Sequence, residues 1–237
     1  NFKWFLVLVA LFAYSDLFLI NGTSPPPASA ATKDALSVHV VGHQFWWEVR
    51  YGGGAATANE IHIPVRTPVL VYVHSPDVIH SFWVPQLNRK IDVFPYQVNR
   101  VELYADEVGR YRGQCAEFCG LQHAHMSFYV FADPRPVFER WLARQRRPAA
   151  KTSALFVSKC SSCHAIRGTP ADSHVGPDLT HVGSRTSLAA ATIPNTPARM
   201  EQWLRETQRV KPGALMPDVR LTDVQVRQLT RYLESLK

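Results

Sequence analysis

Residues 114–126 read QCAEFCGLQHAHM, and they bring Cys115, Cys119, His123 and Met126 into twelve positions of a chain that holds only four cysteines and three methionines. Thiolate and thioether are soft donors and imidazole suits copper, so the set is copper-like. A mononuclear blue-copper centre uses one Cys, two His and a weak Met. This stretch has one thiol too many for that, which points to two metals sharing the thiolates. A disulfide is the competing reading of any close cysteine pair.

The sequence on either side of this stretch is strand-like. LSVHVVG (36–42) alternates, IHIPV (61–65) is short and apolar, and PVLVYVHS (68–75) is rich in β-branched residues. VNRVELYA (98–105) and MSFYVFADP (126–134) follow, with turn residues between them. Short strands at this spacing, without a helical period among them, predict a Greek-key sandwich or barrel over 35–134. Pro134 and Pro136 end the module. VFERWLARQRR then reads as a short basic amphipathic helix, a solvated connector within 135–150.

After Lys151 the apolar spacing becomes helical. Leu221, Val224, Val226, Leu229 and Leu233 form one such stripe, and Thr222 is placed to cap its helix. The module over 151–237 is thus predicted to be small and all-α. It contains Cys160-Ser-Ser-Cys163-His164, and C-x-x-C-H is the attachment sequence for c-type haem. Two thiols three residues apart on a helical turn can meet two vinyl groups, while the next imidazole turns to the iron. A zinc knuckle would need a second ligand pair, and a thioredoxin-type pair would need a βαβ context. For the sixth ligand Met216 in KPGALMPDV is the candidate; Met200 sits at helical spacing and reads as core, and His174 and His181 are the other options. GPDL (176–179), GSR (183–185) and Met216-Pro217 resemble class I cytochromes c. That resemblance implies that the Pro177 carbonyl orients His164, an outer-shell role.

The spacing C-x-E-x-C-G-x-x-H-x-x-M closely resembles the binuclear CuA loop of cytochrome c oxidase subunit II. The resemblance implies a cupredoxin-like fold for the β module and an additional ligand, His80, in DVIHSFWVPQLNRKID. It also implies that Cys115 and Cys119 bridge two coppers. His80 and Met126 would flank one copper, and His123 and the Glu117 carbonyl the other. The Glu117 side chain would turn toward a magnesium site shared with subunit I. GHQFWWEVRY (42–51) resembles the family's aromatic electron-accepting segment, with Phe45 where the family has Trp. The family's Pro-Gly-Arg is Pro95-Tyr96-Gln97 here, a departure within the expected contact with subunit I. His39, His43, His62, His74 and His125 match nothing in the family and read as surface or packing residues.

NFKWFLVLVALFAYSDLFLI is apolar nearly throughout and about 30 Å long as a helix, matching a hydrocarbon core. A signal peptide is the alternative, with Ala28-Ser29-Ala30 as its cleavage pattern. A transmembrane anchor over 1–22 is expected, with a Pro/Ser/Ala-rich linker over 23–34. Lys3 favours a cytoplasmic N-terminal end, which would put the copper and cytochrome domains on the outer, periplasmic face of a bacterial plasma membrane. The family commonly has two membrane helices where this stretch shows one.

The net charge of +7 is unevenly spread. Residues 35–134 carry seven basic and nine acidic side chains, whereas 151–237 carry twelve and seven. Two modules of complementary sign are expected to attract each other weakly, and salt should reduce the attraction. No basic stripe is interleaved with stacking aromatics, so nucleic acid is excluded as a partner.

The whole arrangement resembles the caa-type oxidases, in which a cytochrome c is fused to subunit II. It implies electron transfer from a donor, such as a cytochrome c or a quinol-oxidising complex, through haem c and CuA to subunit I. There oxygen is reduced, with the other oxidase subunits as partners. Rival expectations are the CuA-type subunit of a nitric oxide reductase, a Sco-like copper chaperone, which would need a thioredoxin-like pattern, and a disulfide-stapled binding protein. A nitrous oxide reductase would need a further His-rich propeller.

Overall fold

The computed structural model describes residues 2–23, 36–87, 89–149 and 151–237, with side chains of the first helix described as far as Leu17. The expected linker lies almost wholly outside them. Helix α1 (Phe2–Thr23) is 22 residues long. Its described apolar side chains, Phe5, Leu8 and Phe12 among them, are exposed. Among the described residues no helix is long and apolar enough to cross a membrane.

Ten strands follow: β1 (Ser37–His43), β2 (Trp46–Tyr51), β3 (Ala56–Ala58), β4 (Glu60–Pro64), β5 (Val69–His74), β6 (His80–Trp83), β7 (Ile91–Val93), β8 (Asn99–Leu103), β9 (Gly109–Cys115) and β10 (Ser127–Asp133). They form two five-stranded sheets, ordered β3-β2-β1-β5-β8 and β4-β10-β9-β6-β7. The ladders are mostly antiparallel, with β1 parallel to β5 and β10 parallel to β4. No helix connects these parallel pairs, so the βαβ unit of a thioredoxin-like chaperone is absent among the described residues.

Alternation decides which side chains meet between the sheets. Val69, Val71 and Val73 of β5 point inward while Leu70, Tyr72 and His74 remain partly open. Trp47 is fully buried and meets Phe82 and Phe128 edge-on, at centroid distances of 5.8 and 5.4 Å. The aromatic pairs add roughly 0.5–1.5 kcal/mol each to the area they bury.

Helix α2 (Arg135–Gln145) begins after Pro134, with Pro136 in its first turn. It does not stand free as a solvated connector. Phe138 and Leu142 join the core of the β module, and Trp141 stacks on His62 at 4.0 Å. The basic side chains hid a three-residue apolar face whose partner lies on the sandwich.

The C-terminal module comprises α3 (Ala154–Cys160), a ladder of β11 (Ser187–Leu188) and β12 (Ile193–Pro194), α4 (Pro197–Arg205), α5 (Thr207–Val210) and α6 (Asp223–Ser235). The short β11–β12 ladder departs from an all-α expectation; the chain reverses there through Ala189, Ala190 and Ala191, all at positive φ. Thr222 caps α6 in a full capping box with Gln225. Val226, Leu229 and Leu233 then pack on Phe156, Met200 and Leu204.

The two modules touch through hydrogen bonds. Buried Glu60 accepts from the Thr186 backbone N–H and hydroxyl, and Arg167 donates to the Gly54 and Gln145 carbonyls. None of the ion pairs among the described residues joins one module to the other. Buried Glu60 does act electrostatically on Arg185 across the contact.

Candidate metal centres

The loop 115–126 is held at both ends by the second sheet. The Cys115 N–H donates to the Met126 carbonyl at 3.0 Å, and the Ala116 N–H to Ser81 at 2.9 Å. Phe82 of β6 pairs with Cys115, which brings the β6 residue His80 to the same end of the sheet. A 3₁₀ turn over His123–His125 then swings His123 back toward the thiols.

The predicted donors converge. The sulfurs of Cys115 and Cys119 lie 3.9 Å apart, far beyond a disulfide bond length, and all four cysteines of the chain are free. His80 Nδ1 is 3.8 Å from Cys115 Sγ, and the Glu117 carbonyl is 3.2 Å from it. Around Cys119 Sγ stand His123 Nδ1 at 3.6 Å and Met126 Sδ at 3.8 Å. The ligand atoms of His80, Cys115 and Cys119 all lie within 4.8 Å of one another. With both sulfurs shared, these distances do not divide the donors between two ions. The Glu117 side chain is exposed.

The electrostatics favour soft-metal binding. Cys119 beside it is the chief cause holding the Cys115 thiol far below the usual range, and it outweighs burial, which acts to raise it. Cys119 is pushed up by the same neighbour and by burial. Cys115 is therefore the sulfur of the pair that favours the thiolate, the form that binds a metal. Two thiolates, two imidazoles, a thioether and a carbonyl suit a pair of coppers.

Asp77 is a site residue that the sequence reading missed. His80 is fully buried, and its Nε2 lies 2.9 Å from Asp77 Oδ1. A carboxylate accepts, so Nε2 carries the proton and Nδ1 is free to face the sulfur. Partial burial works to raise the Asp77 carboxyl, yet hydrogen bonds from His80, the Gln44 N–H and the Val78 N–H outweigh it and hold it at about 2. An acid three residues before the histidine was the only sequence signal. Gln44 was also missed, and its amide donates to the Cys119 carbonyl at 2.6 Å.

In the C-terminal module Ser153 caps α3 by accepting from the Phe156 N–H, and the chain turns after Cys160 so that the His164 N–H reaches the Cys160 carbonyl at 3.0 Å. The cavity that opens there is lined by Cys160, Cys163, His164, Pro177 and Met216, as predicted. His164 Nδ1 donates to the Pro177 carbonyl at 2.9 Å, which leaves Nε2 as the free donor. Burial keeps this imidazole neutral. A Cβ at Gly176 would come within 2.6 Å of the His164 ring, so only glycine lets the ring sit there.

Met200 is buried in the module core as well as bordering the cavity. His181 is bound to the Arg147 carbonyl, and His174 is exposed; neither lines the cavity. Buried Arg185 does, and its Nε has no hydrogen-bond partner. A cysteine pair, an imidazole with one free nitrogen, a thioether and a buried guanidinium whose Nε has no hydrogen-bond partner fit a covalent haem with its carboxylates.

Of the aromatic segment, Trp47 is core, whereas Phe45 and Trp46 form part of the wall of the haem cavity. His43 stacks on Trp46 at 4.3 Å and bonds Glu48, His39 stacks on Tyr72, His62 bonds Asp133, and His125 bonds Gln122.

The family profile described as cytochrome C oxidase subunit II, periplasmic domain, matches residues 53–132, and that of cytochrome c matches 149–237. The chain is similar to cytochrome c oxidase subunit 2 of Alkalihalophilus pseudofirmus, at 33% identity over 98% of this chain and 70% of the relative. It is 32% identical to the Bacillus subtilis protein of the same name, over 98% of this chain and 71% of the relative. Among solved structures, the periplasmic domain of subunit II of cytochrome oxidase from Bradyrhizobium japonicum is 28% identical. That match covers 49% of this chain and 96% of that one, with a TM-score of 0.47.

Proposed function

Because the chain belongs to the cytochrome c oxidase subunit 2 family, with a cytochrome c module fused behind the copper domain, we propose how its residues carry electrons to the oxidase. It is the electron-accepting subunit of a caa-type oxidase. The donor is a cytochrome c or a quinol-oxidising complex, and oxygen is reduced in subunit I, with which this chain and the other subunits assemble.

Cys115, Cys119, His80, His123, Met126 and the Glu117 carbonyl would hold a binuclear copper centre. Cys160 and Cys163 would hold haem c covalently, with His164 and Met216 as its ligands. When bound, these groups supply one-electron carriers. The protein's part is to keep His164 and His80 in the ligating tautomer through Pro177 and Asp77, and to keep water from the sulfurs. Met216 raises the potential of the haem site, which suits electron transfer. Tethering places donor and acceptor modules at an effective concentration of roughly millimolar, so no freely diffusing cytochrome need dock at that step.

The exposed Glu117 carboxylate is available to a magnesium ion at the face shared with subunit I. The membrane anchor is placed over 1–22 on the apolar run of that stretch and on the exposure of the described α1 side chains Phe5, Leu8 and Phe12. The domains then lie over 35–134 and 151–237, on the outer face of a bacterial plasma membrane.

The observation that carries this reading is the convergence of four donors, His80, His123, Met126 and the Glu117 carbonyl, around two sulfurs 3.9 Å apart. The test is metal and mass analysis of the protein purified with its large subunit. Two coppers and one covalent haem per chain are expected. Folded protein with iron but no copper would refute it.

A further inference from the structure

Lys211 is 3% exposed, and an ammonium is expensive to bury unless its donors are met. Its Nζ donates to three carbonyls from three segments: Phe45 at 2.8 Å, His125 at 2.9 Å and Ala189 at 3.0 Å. Phe45 lies in the β1–β2 turn at the haem cavity, and His125 lies between His123 and Met126. Ala189 belongs to the cytochrome module. Three acceptors match the three N–H bonds of an ammonium, and among the described ion pairs Lys211 has no carboxylate.

The neighbouring residues reinforce this contact. Gln122 of the copper loop donates to the Pro212 carbonyl at 2.6 Å. Gly213, at φ 82°, packs so closely on Leu121 that a Cβ there would come within 2.9 Å of it. Gln208 then accepts from the Gly213 N–H and donates to the Met216 carbonyl at 2.7 Å. A continuous set of contacts therefore runs from the copper loop through Lys211 and Gln208 to Met216.

We propose that Lys211 is a positioning residue for electron transfer between the two centres: it pins the segment carrying Met216 to the loop carrying His123 and Met126, and its buried charge favours the reduced copper pair. This rests on the metal assignments above and deepens them. A lysine serving only as glue would fix the modules but leave the copper potential indifferent to its charge.

The test is Lys211→Met, which keeps the stem and removes the charge, in the complete oxidase. Haem and copper spectra of the unaltered protein are recorded first; absence of either centre there would refute the metal assignments rather than the role of Lys211. In the variant both spectra should persist, haem-to-copper transfer after rapid reduction of the haem should slow about tenfold or more, and the copper potential should fall. Amide exchange should quicken together over 121–125 and 211–216. Gln122→Leu, which removes the hydrogen bonds to Pro212 and His125 but no charge, should quicken the same amides to a smaller extent and leave the copper potential in place, and it gives a reading if Lys211→Met does not fold. Unchanged transfer and an unchanged potential in Lys211→Met, or amides in the two segments that respond independently in either variant, would overturn the proposal.

Discussion

The side-chain amide of Gln44 donates to the backbone carbonyl of Cys119 at 2.6 Å while Gln44 itself forms part of the wall of the haem cavity. One residue thus touches both proposed centres. Its own N–H donates to Asp77 Oδ2 at 2.7 Å, and Asp77 holds His80. Replacing Gln44 with Leu keeps its bulk and removes a net hydrogen bond of about 0.5–1.5 kcal/mol. The expected outcome is slower haem-to-copper transfer with both centres present, measured by following each absorption after rapid reduction.

Asp77→Ala leaves His80 without the group that fixes its tautomer. Loss of such an outer-shell partner commonly costs 10–100-fold in metal affinity. Competition with a copper chelator should show a loss of that size, and an unaltered affinity would show that Asp77 does not orient the ligand.

The low Asp77 carboxyl gives a pH dependence with a definite sign. Its folded value of about 2 lies below the ordinary 3.8, so its contribution is complete above pH 4 and is lost as pH falls toward 2. Urea midpoints of the full chain should drop through that window in the unaltered protein. Asp77→Asn should lack this component of the slope.

Cys119→Ser removes a bridging thiolate. The shared-valence copper signal should vanish, because a hydroxyl does not delocalise charge between two coppers as a thiolate does. A multiline copper EPR spectrum surviving in the variant would exclude Cys119 as a bridge.

Met216→Ala removes the thioether proposed as the second haem ligand from the cavity that His164 also lines. The haem potential should fall and haem-to-copper transfer should slow, with the copper spectrum unchanged. Potentiometric titration at the haem band decides this, and a normal potential would remove Met216 from the site.

The sequence by itself determined the donors. Soft ligands are rare residue types, and their spacing at 115–126 and 160–164 is set by the geometry of metal and macrocycle, so local sequence carries that information. Alternation in β1, β5 and β10 and the capping box at Thr222 were legible for the same reason, since each depends on neighbours a few residues away. Tertiary structure alone decided what spans the modules. Asp77, Gln44 and Lys211 are common polar residues whose importance comes from a carbonyl or imidazole brought to them by another segment; Lys211 and Phe45 are far apart along the chain yet 2.8 Å apart in space. The same holds for α2, whose apolar face found its partner on the sandwich, and for the module contact, whose hydrogen bonds net charge could not foretell. A hydrogen bond depends on the position of single atoms, and composition and periodicity average those positions away.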